Sequence, residues 1–189
     1  MRVLALLLAA ALSACGTGTD AVARGGEFEF VSPGGQTKIF YDPPESRGKV
    51  AGLSGESLLE AGRTISLDDF QGRVVVLNLW GSWCGPCRAE ADDLQRVADA
   101  TAADGVALLG VDVRDNRDAA ADFVRDRGLG WPSIYDPPGR SLLALRGYPR
   151  NVVPSTIVLD RQHRVAAVFL QALLTDDLLP VVRRVATET

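Results

Sequence analysis

The run Val74–Trp80 (VVVLNLW) constrains this chain more than any other segment. With a single polar side chain it leaves no face for water, so a strand here must be covered on both sides. Val106–Asp112 (VALLGVD) repeats the pattern. Between them, residues 86–103 carry helical spacing, with Leu94, Val97, Ala98 and Thr101 on one inward stripe. Buried strand, helix, buried strand predicts a parallel pair joined by a crossover. Arg117–Arg127 fits a second helix. Ser155–Asp160 (STIVLD) and Val165–Leu170 (VAAVFL) flank Arg161-Gln162-His163-Arg164 as a β-hairpin, and Thr175-Asp176-Asp177 can cap a last helix over 176–187. The order βαβα followed by ββα predicts an α/β domain: a mixed central sheet with helices on both faces. Ahead of it, Glu27–Tyr41 has two β-rich runs around Ser32-Pro33-Gly34-Gly35 and reads as an N-terminal β-hairpin.

The chain has 189 residues, 47% hydrophobic and 23% charged, which excludes a disordered chain, a collagen-like repeat and a disulfide-dense miniprotein. Its net charge of -4 argues against nucleic acid, whose phosphates select a basic face. Residues 1–14 (MRVLALLLAAALSA) place one Arg before an apolar stretch from Val3 to Leu12. That stretch is about half of the roughly 20 residues a bilayer span needs, so it reads as the core of a signal peptide. Leu12-Ser13-Ala14-Cys15 resembles a bacterial lipoprotein box. The resemblance implies a lipid on Cys15 and a chain anchored to the outer face of the cytoplasmic membrane; an ordinary secretory signal is the alternative. Residues 15–26 read as a tether and 27–188 as a single domain.

Of three cysteines, Cys15 belongs to the leader and Cys84 and Cys87 form an even pair. Cys84-Gly85-Pro86-Cys87 sits where the buried strand 74–80 hands over to the helix. Two cysteines at i and i+3 on a first helical turn are close enough to bridge. The first lies at the helix N-terminus, where orphan N–H groups and the dipole favour a thiolate and lower its pKa. Pro86 suits that turn because its missing N–H would go unused. The expected cycle is attack by an exposed Cys84 on a substrate disulfide, then release through Cys87. Zinc would need four ligands, and beyond this pair the chain offers only His163. A c-type haem would need His after Cys87, where Arg88 stands. A structural bridge closing so short a loop stabilises little. Neither metal nor cofactor is implied.

Glu90 lies four residues before Leu94, hence on the inward stripe, one turn beyond Cys87. Partial burial there raises a carboxyl pKa and suits it to take the Cys87 proton. Val153-Pro154 opens the strand at 155, and beside a CxxC pair it is expected to be cis, exposing Val153 backbone groups to an extended substrate. Trp80 reads as core, and Trp83 as a shield of the disulfide or a substrate contact. His163 reads as an inert turn residue, and Asp112 and Asp115 as solvated loop acids.

Together, VVVLNLWGSWCGPCRAE, GVALLGVDV, WPSIYDPPGR and VPSTIVLDRQHRV resemble the TlpA/ResA-type thioredoxin-like family, over about residues 50–187. The resemblance implies a thioredoxin fold with a central insertion near 113–131. It also implies extracytoplasmic thiol–disulfide exchange on protein disulfides or dithiols, often reduction of apocytochrome c cysteines before haem attachment, with a membrane electron donor. Glu90 matches the family's acidic position after Arg88-Ala89. Asn78 stands where thioredoxin proper has a buried Asp, which favours Glu90 as proton acceptor. Ala91-Asp92 and Ser155 depart from the family pattern without touching the sulfur chemistry. Two other readings stay open: a thioredoxin-fold peroxidase, which would need Thr where Gly81 stands, and a non-catalytic binding lipoprotein.

Overall fold

The computed structural model describes residues 26–32 and 34–188. The leader over 1–14, Cys15 and the tether up to residue 25 lie outside the described residues. The strands are β1 (Lys38–Phe40), β2 (Ser54–Ser57), β3 (Thr64–Ser66), β4 (Val74–Trp80), β5 (Val106–Asp112), β6 (Ser133–Tyr135), β7 (Ser155–Leu159) and β8 (Val165–Phe169). The α-helices are α1 (Gly85–Thr101), α2 (Arg117–Arg127) and α3 (Thr175–Thr187).

All eight strands form one sheet in the order β1-β8-β7-β4-β5-β6-β2-β3. β4 runs parallel to β5, in register from Val74 opposite Val106 to Trp80 opposite Asp112, and antiparallel to β7 on its other side. The sheet is therefore mixed, as the apolar runs and the β7–β8 hairpin predicted. β4, β5 and β6 step across the sheet in one direction, so right-handed crossovers put α1 and α2 on the same face. α3 packs there too: Val74, Val76 and Leu108 share a core with Leu94 and Val97 of α1 and with Val182 and Val185 of α3. The alternate residues Val75, Leu77 and Leu79 point the other way, onto Phe28, Phe30, Leu142 and Leu145. Among the described residues that second face is covered by the 3-10 turns Leu67–Phe70 and Ser141–Ala144, by loop residues such as Leu53 and Tyr148 and by the N-terminal segment, so the helices divide unequally between the faces.

The expected hairpin over 27–41 does not form. Glu27 and Glu29 make isolated bridges to Lys49 and Arg146, while β1 pairs antiparallel with β8. Each run finds a better partner than the other. Phe28 and Phe30 are buried under the sheet, and β1 covers the edge that β8 would otherwise present to solvent.

One core residue had no signal in the sequence. Arg47 is fully buried. Its Nε donates to the Tyr41 carbonyl at 2.8 Å, and its terminal nitrogens donate to Asp42 at 2.8 Å, Asp160 at 3.3 Å and Glu188 at 3.0 Å. The guanidinium thus joins the segment after β1, the β7–β8 turn and the end of α3.

Candidate functional site

β4 ends at Trp80, and a turn over Gly81–Trp83 leads into α1, with the Cys84 N–H donating to the Gly81 carbonyl at 3.0 Å. Cys84 is the N-cap of α1: its backbone is extended, and its Sγ accepts the Cys87 N–H at 3.2 Å. A sulfur in that position meets an orphan backbone donor and the positive end of the helix dipole, the arrangement that stabilises a thiolate. Cys84 and Cys87 are disulfide-bonded, their Cα atoms 5.3 Å apart. The sequence reading took Cys84 as exposed; both cysteines are only 3% accessible. They sit in an apolar cluster with Leu58, Trp80, Ala120 and Val124, and Val153 packs against it. Burial follows because α2 lies on the same face as α1 and brings Ala120 and Val124 over the pair.

The turn that presents Cys84 is held from β5. Asp115, expected to be a solvated acid, accepts from the Ser82 backbone N–H and from the Ser82 hydroxyl at 2.9 Å. Trp83 is 48% exposed, and its indole N–H donates to the Val113 carbonyl at 3.0 Å. The ring lies so close over Gly81 that a Cβ there would fall 2.4 Å from its nitrogen. Gly81 is thus required by packing. Trp80 is buried core, as read.

Glu90 is 2% accessible, on the inward stripe of α1. Its Oε1 accepts from the Asn78 amide at 3.0 Å and its Oε2 from the Leu173 N–H at 2.9 Å. The same Asn78 amide donates to Thr156 Oγ1 at 3.1 Å, so β4 and the segment before α3 hold this carboxyl directly and β7 holds it through Asn78. Burial pushes its pKa up to about 7, against the pull of the Leu173 N–H and the Asn78 amide. Since the folded state holds this proton more tightly than the unfolded one, the group's contribution to stability is greatest below its unfolded pKa of 4.5 and declines until pH reaches about 7. Wild-type oxidised protein is therefore expected to lose up to about 3 kcal/mol relative to Glu90→Gln between pH 4.5 and 7. Urea unfolding of both proteins at each pH measures this, and a difference that stays flat would remove the raised pKa.

Val153-Pro154 is cis, as expected, and Pro154 is buried. No hydrogen bond to the Val153 backbone is made by any described residue. The reading of Asp112 needs correction, whereas that of His163 as a turn residue stands. Asp112 is fully buried beside Trp80 rather than solvated, because β6 pairs beyond β5 and closes over the strand end. Its carboxyl oxygens have no hydrogen-bond partner among the described residues, and burial with the nearby Asp115 charge pushes its pKa up to about 8. His163 lies in the turn, yet it is 4% accessible and pairs Nε2 with the Phe70 carbonyl at 3.0 Å. Among the described residues no group of three or more His, Cys, Asp and Glu could hold a metal.

Comparison with known proteins gives a consistent set of similarities. A family model described as the AhpC/TSA family matches residues 52–168. A secreted thiol-disulfide isomerase of Corynebacterium glutamicum is 49% identical, with a TM-score of 0.82 over 87% of this chain and 100% of that one. A DsbF homologue of Corynebacterium diphtheriae is also 49% identical, with a TM-score of 0.79 over 84% of this chain and 99% of that one. The curated thiol-disulfide oxidoreductase ResA of Geobacillus thermodenitrificans is 28% identical over 62% of this chain and 66% of its own length. The chain thus spans just under two thirds of that curated relative.

Proposed function

The chain belongs to the AhpC/TSA family, in the thioredoxin-like group that includes ResA, and on that premise we propose that it is an extracytoplasmic thiol–disulfide oxidoreductase acting on protein disulfides through Cys84 and Cys87. The observation that carries this reading is Cys84 Sγ at the N-cap of α1, taking the Cys87 N–H while bonded to Cys87 itself. In the reduced protein the Cys84 thiolate attacks one sulfur of a substrate disulfide, and the other sulfur leaves as a thiolate. Cys87 gives its proton to Glu90 and attacks Cys84, releasing the second substrate thiolate and re-forming the Cys84–Cys87 bond. Two electrons have passed to the substrate, and a membrane dithiol donor returns two electrons to the pair.

The remaining roles belong to the same proposal. Pro154 shapes the wall beside the disulfide, the unpaired Val153 backbone offers a strand-like edge to an extended substrate, and Trp83 adds an exposed aromatic contact. After removal of the signal peptide over 1–14, a lipid on Cys15 would hold the domain at the outer face of the membrane on a tether ending at residue 26. Reduction of apocytochrome c cysteines is the specific task that the resemblance to the TlpA/ResA type supports.

Catalysed reduction of insulin by dithiothreitol tests the activity, with acceleration over the uncatalysed rate as the expected result. A peroxidase would instead consume hydrogen peroxide and leave insulin intact, and a binding protein would do neither. Fatty-acid labelling that Cys15→Ala abolishes is the corresponding expectation for the anchor.

A further inference from the structure

Beside Trp83 the surface opens into a cleft of about 440 Å³ that the exchange chemistry does not use. Its walls are Val113-Arg114 after β5, Pro137–Gly139 after β6 and Tyr148–Asn151 ahead of Pro154. Two of its walls lead toward the reactive pair through neighbouring residues. The Arg114 guanidinium lies 4.6 Å over the Trp83 ring, next to Cys84, and its Nη2 donates to the Asn151 carbonyl at 3.4 Å. Val153, two residues past Asn151, packs on the cluster that holds both cysteines.

The charges around this cleft are one-sided. Arg114 and Arg150 are exposed, and neither forms an ion pair among the described residues. The acids of the same loops are turned to internal work. Asp115 holds Ser82, and Asp136 accepts from the Arg140 and Ser141 N–H groups and the Ser141 hydroxyl. In a chain of net charge -4, a cationic cleft mouth runs against the composition. Arg114 also adopts φ 55, a left-handed backbone that costs a non-glycine residue on the order of 1 kcal/mol and clusters at ligand-binding sites.

We propose that this cleft is a substrate subsite for a carboxylate: the protein segment whose cysteine reacts at Cys84 carries Asp or Glu a few residues away, and Arg150 and Arg114 receive it. The inference rests on the exchange activity proposed above. An extended segment laid along Val153 advances about 3.3 Å per residue, so a side chain a short way along it reaches the cleft. Guanidinium groups suit the task because their paired donors match a carboxylate. Pro137, Pro138 and Pro149 stiffen the walls, so little ordering accompanies binding.

The test uses the reduced full chain and cysteine peptides activated as mixed disulfides with 2-thiopyridine, the cysteine being flanked by Glu, Gln or Lys. Release of 2-thiopyridone gives the second-order rate. The order Glu over Gln over Lys is expected at low salt, with roughly three- to tenfold between the extremes. The spread closes toward one near 1 M salt, where screening is short-ranged. Arg150→Lys keeps the order, and Arg150→Glu inverts it, a gain for the Lys peptide that misfolding cannot produce. Equal rates in the wild type, or an order indifferent to Arg150→Glu, overturn the subsite. A wild type that reacts no faster than glutathione with every peptide overturns the exchange activity as well, whereas fast but charge-blind reaction overturns the subsite alone.

Discussion

Cys84→Ser is expected to abolish disulfide exchange, and Cys87→Ser to leave the first half of the cycle running while stalling the second. The asymmetry follows from the helix start. Cys84 Sγ holds the N-cap position and takes the Cys87 N–H at 3.2 Å, so the charge of a thiolate is stabilised on Cys84. Cys87 lies inside the first turn, buried in the cluster with Ala120 and Val124, and in the proposed cycle it gives its proton to Glu90 before attacking Cys84. Without Cys84 there is no nucleophile. Without Cys87 the mixed disulfide forms and has no internal thiol to resolve it. In cells, Cys87→Ser is therefore expected to accumulate covalent complexes that reducing agent releases and that Cys84→Ser lacks. Recovery of haem-motif apoproteins among them supports cytochrome c maturation, and a broad set of secreted proteins opposes it. Complexes formed by Cys84→Ser and not by Cys87→Ser would reverse the two roles.

Arg47→Ala is expected to destabilise the fold by at least about 3 kcal/mol, the scale for removing one partner from a buried ion pair. For a chain of this size that corresponds to roughly 6–12 °C in melting temperature. Asp160 is 3% accessible and loses a charged donor, though Arg164 Nε at 2.9 Å still faces it. Asp42 and Glu188 keep Arg184 at 3.1 Å and 3.3 Å, so the loss concentrates at the buried end of the network. Arg47→Met retains volume without the charge and is expected to fall between Arg47→Ala and wild type. Thermal melts of the oxidised proteins decide it, and a change below about 1 kcal/mol for Arg47→Ala would show that the network is dispensable.

Much of the reactive centre was legible because it is written in local period and spacing. Glu90 falls four residues before Leu94 on a helical stripe, and burial with a raised pKa follows from that position alone. The Cys84–Cys87 spacing at the end of an all-buried strand placed the sulfurs on a first helical turn, where the structure has them. The partners of these groups were not legible. The Asn78 amide and the Leu173 N–H reach Glu90 from 12 and 83 positions away, and no local pattern encodes such distances. Asp115 reads from the sequence only as a solvated loop acid because its use, holding Ser82, depends on β5 lying beside β4.

What the sequence determined by itself was the strands β4, β5, β7 and β8 and the three α-helices, where the reactive pair sits, and that β4 and β5 are covered on both faces. Apolar periodicity and capping chemistry are short-range, so one chain segment suffices to read them. Only the tertiary structure decided which partner each segment took. The 27–41 runs have the composition of a hairpin, yet one joins β8 and the other buries Phe28 and Phe30. Nothing local marks Arg47 as core, because two of its three carboxylate partners, Asp160 and Glu188, lie 113 and 141 positions away. Such outcomes are competitions among pairings far apart in the chain, settled by the total surface buried and the polar groups satisfied rather than by any one segment's preference.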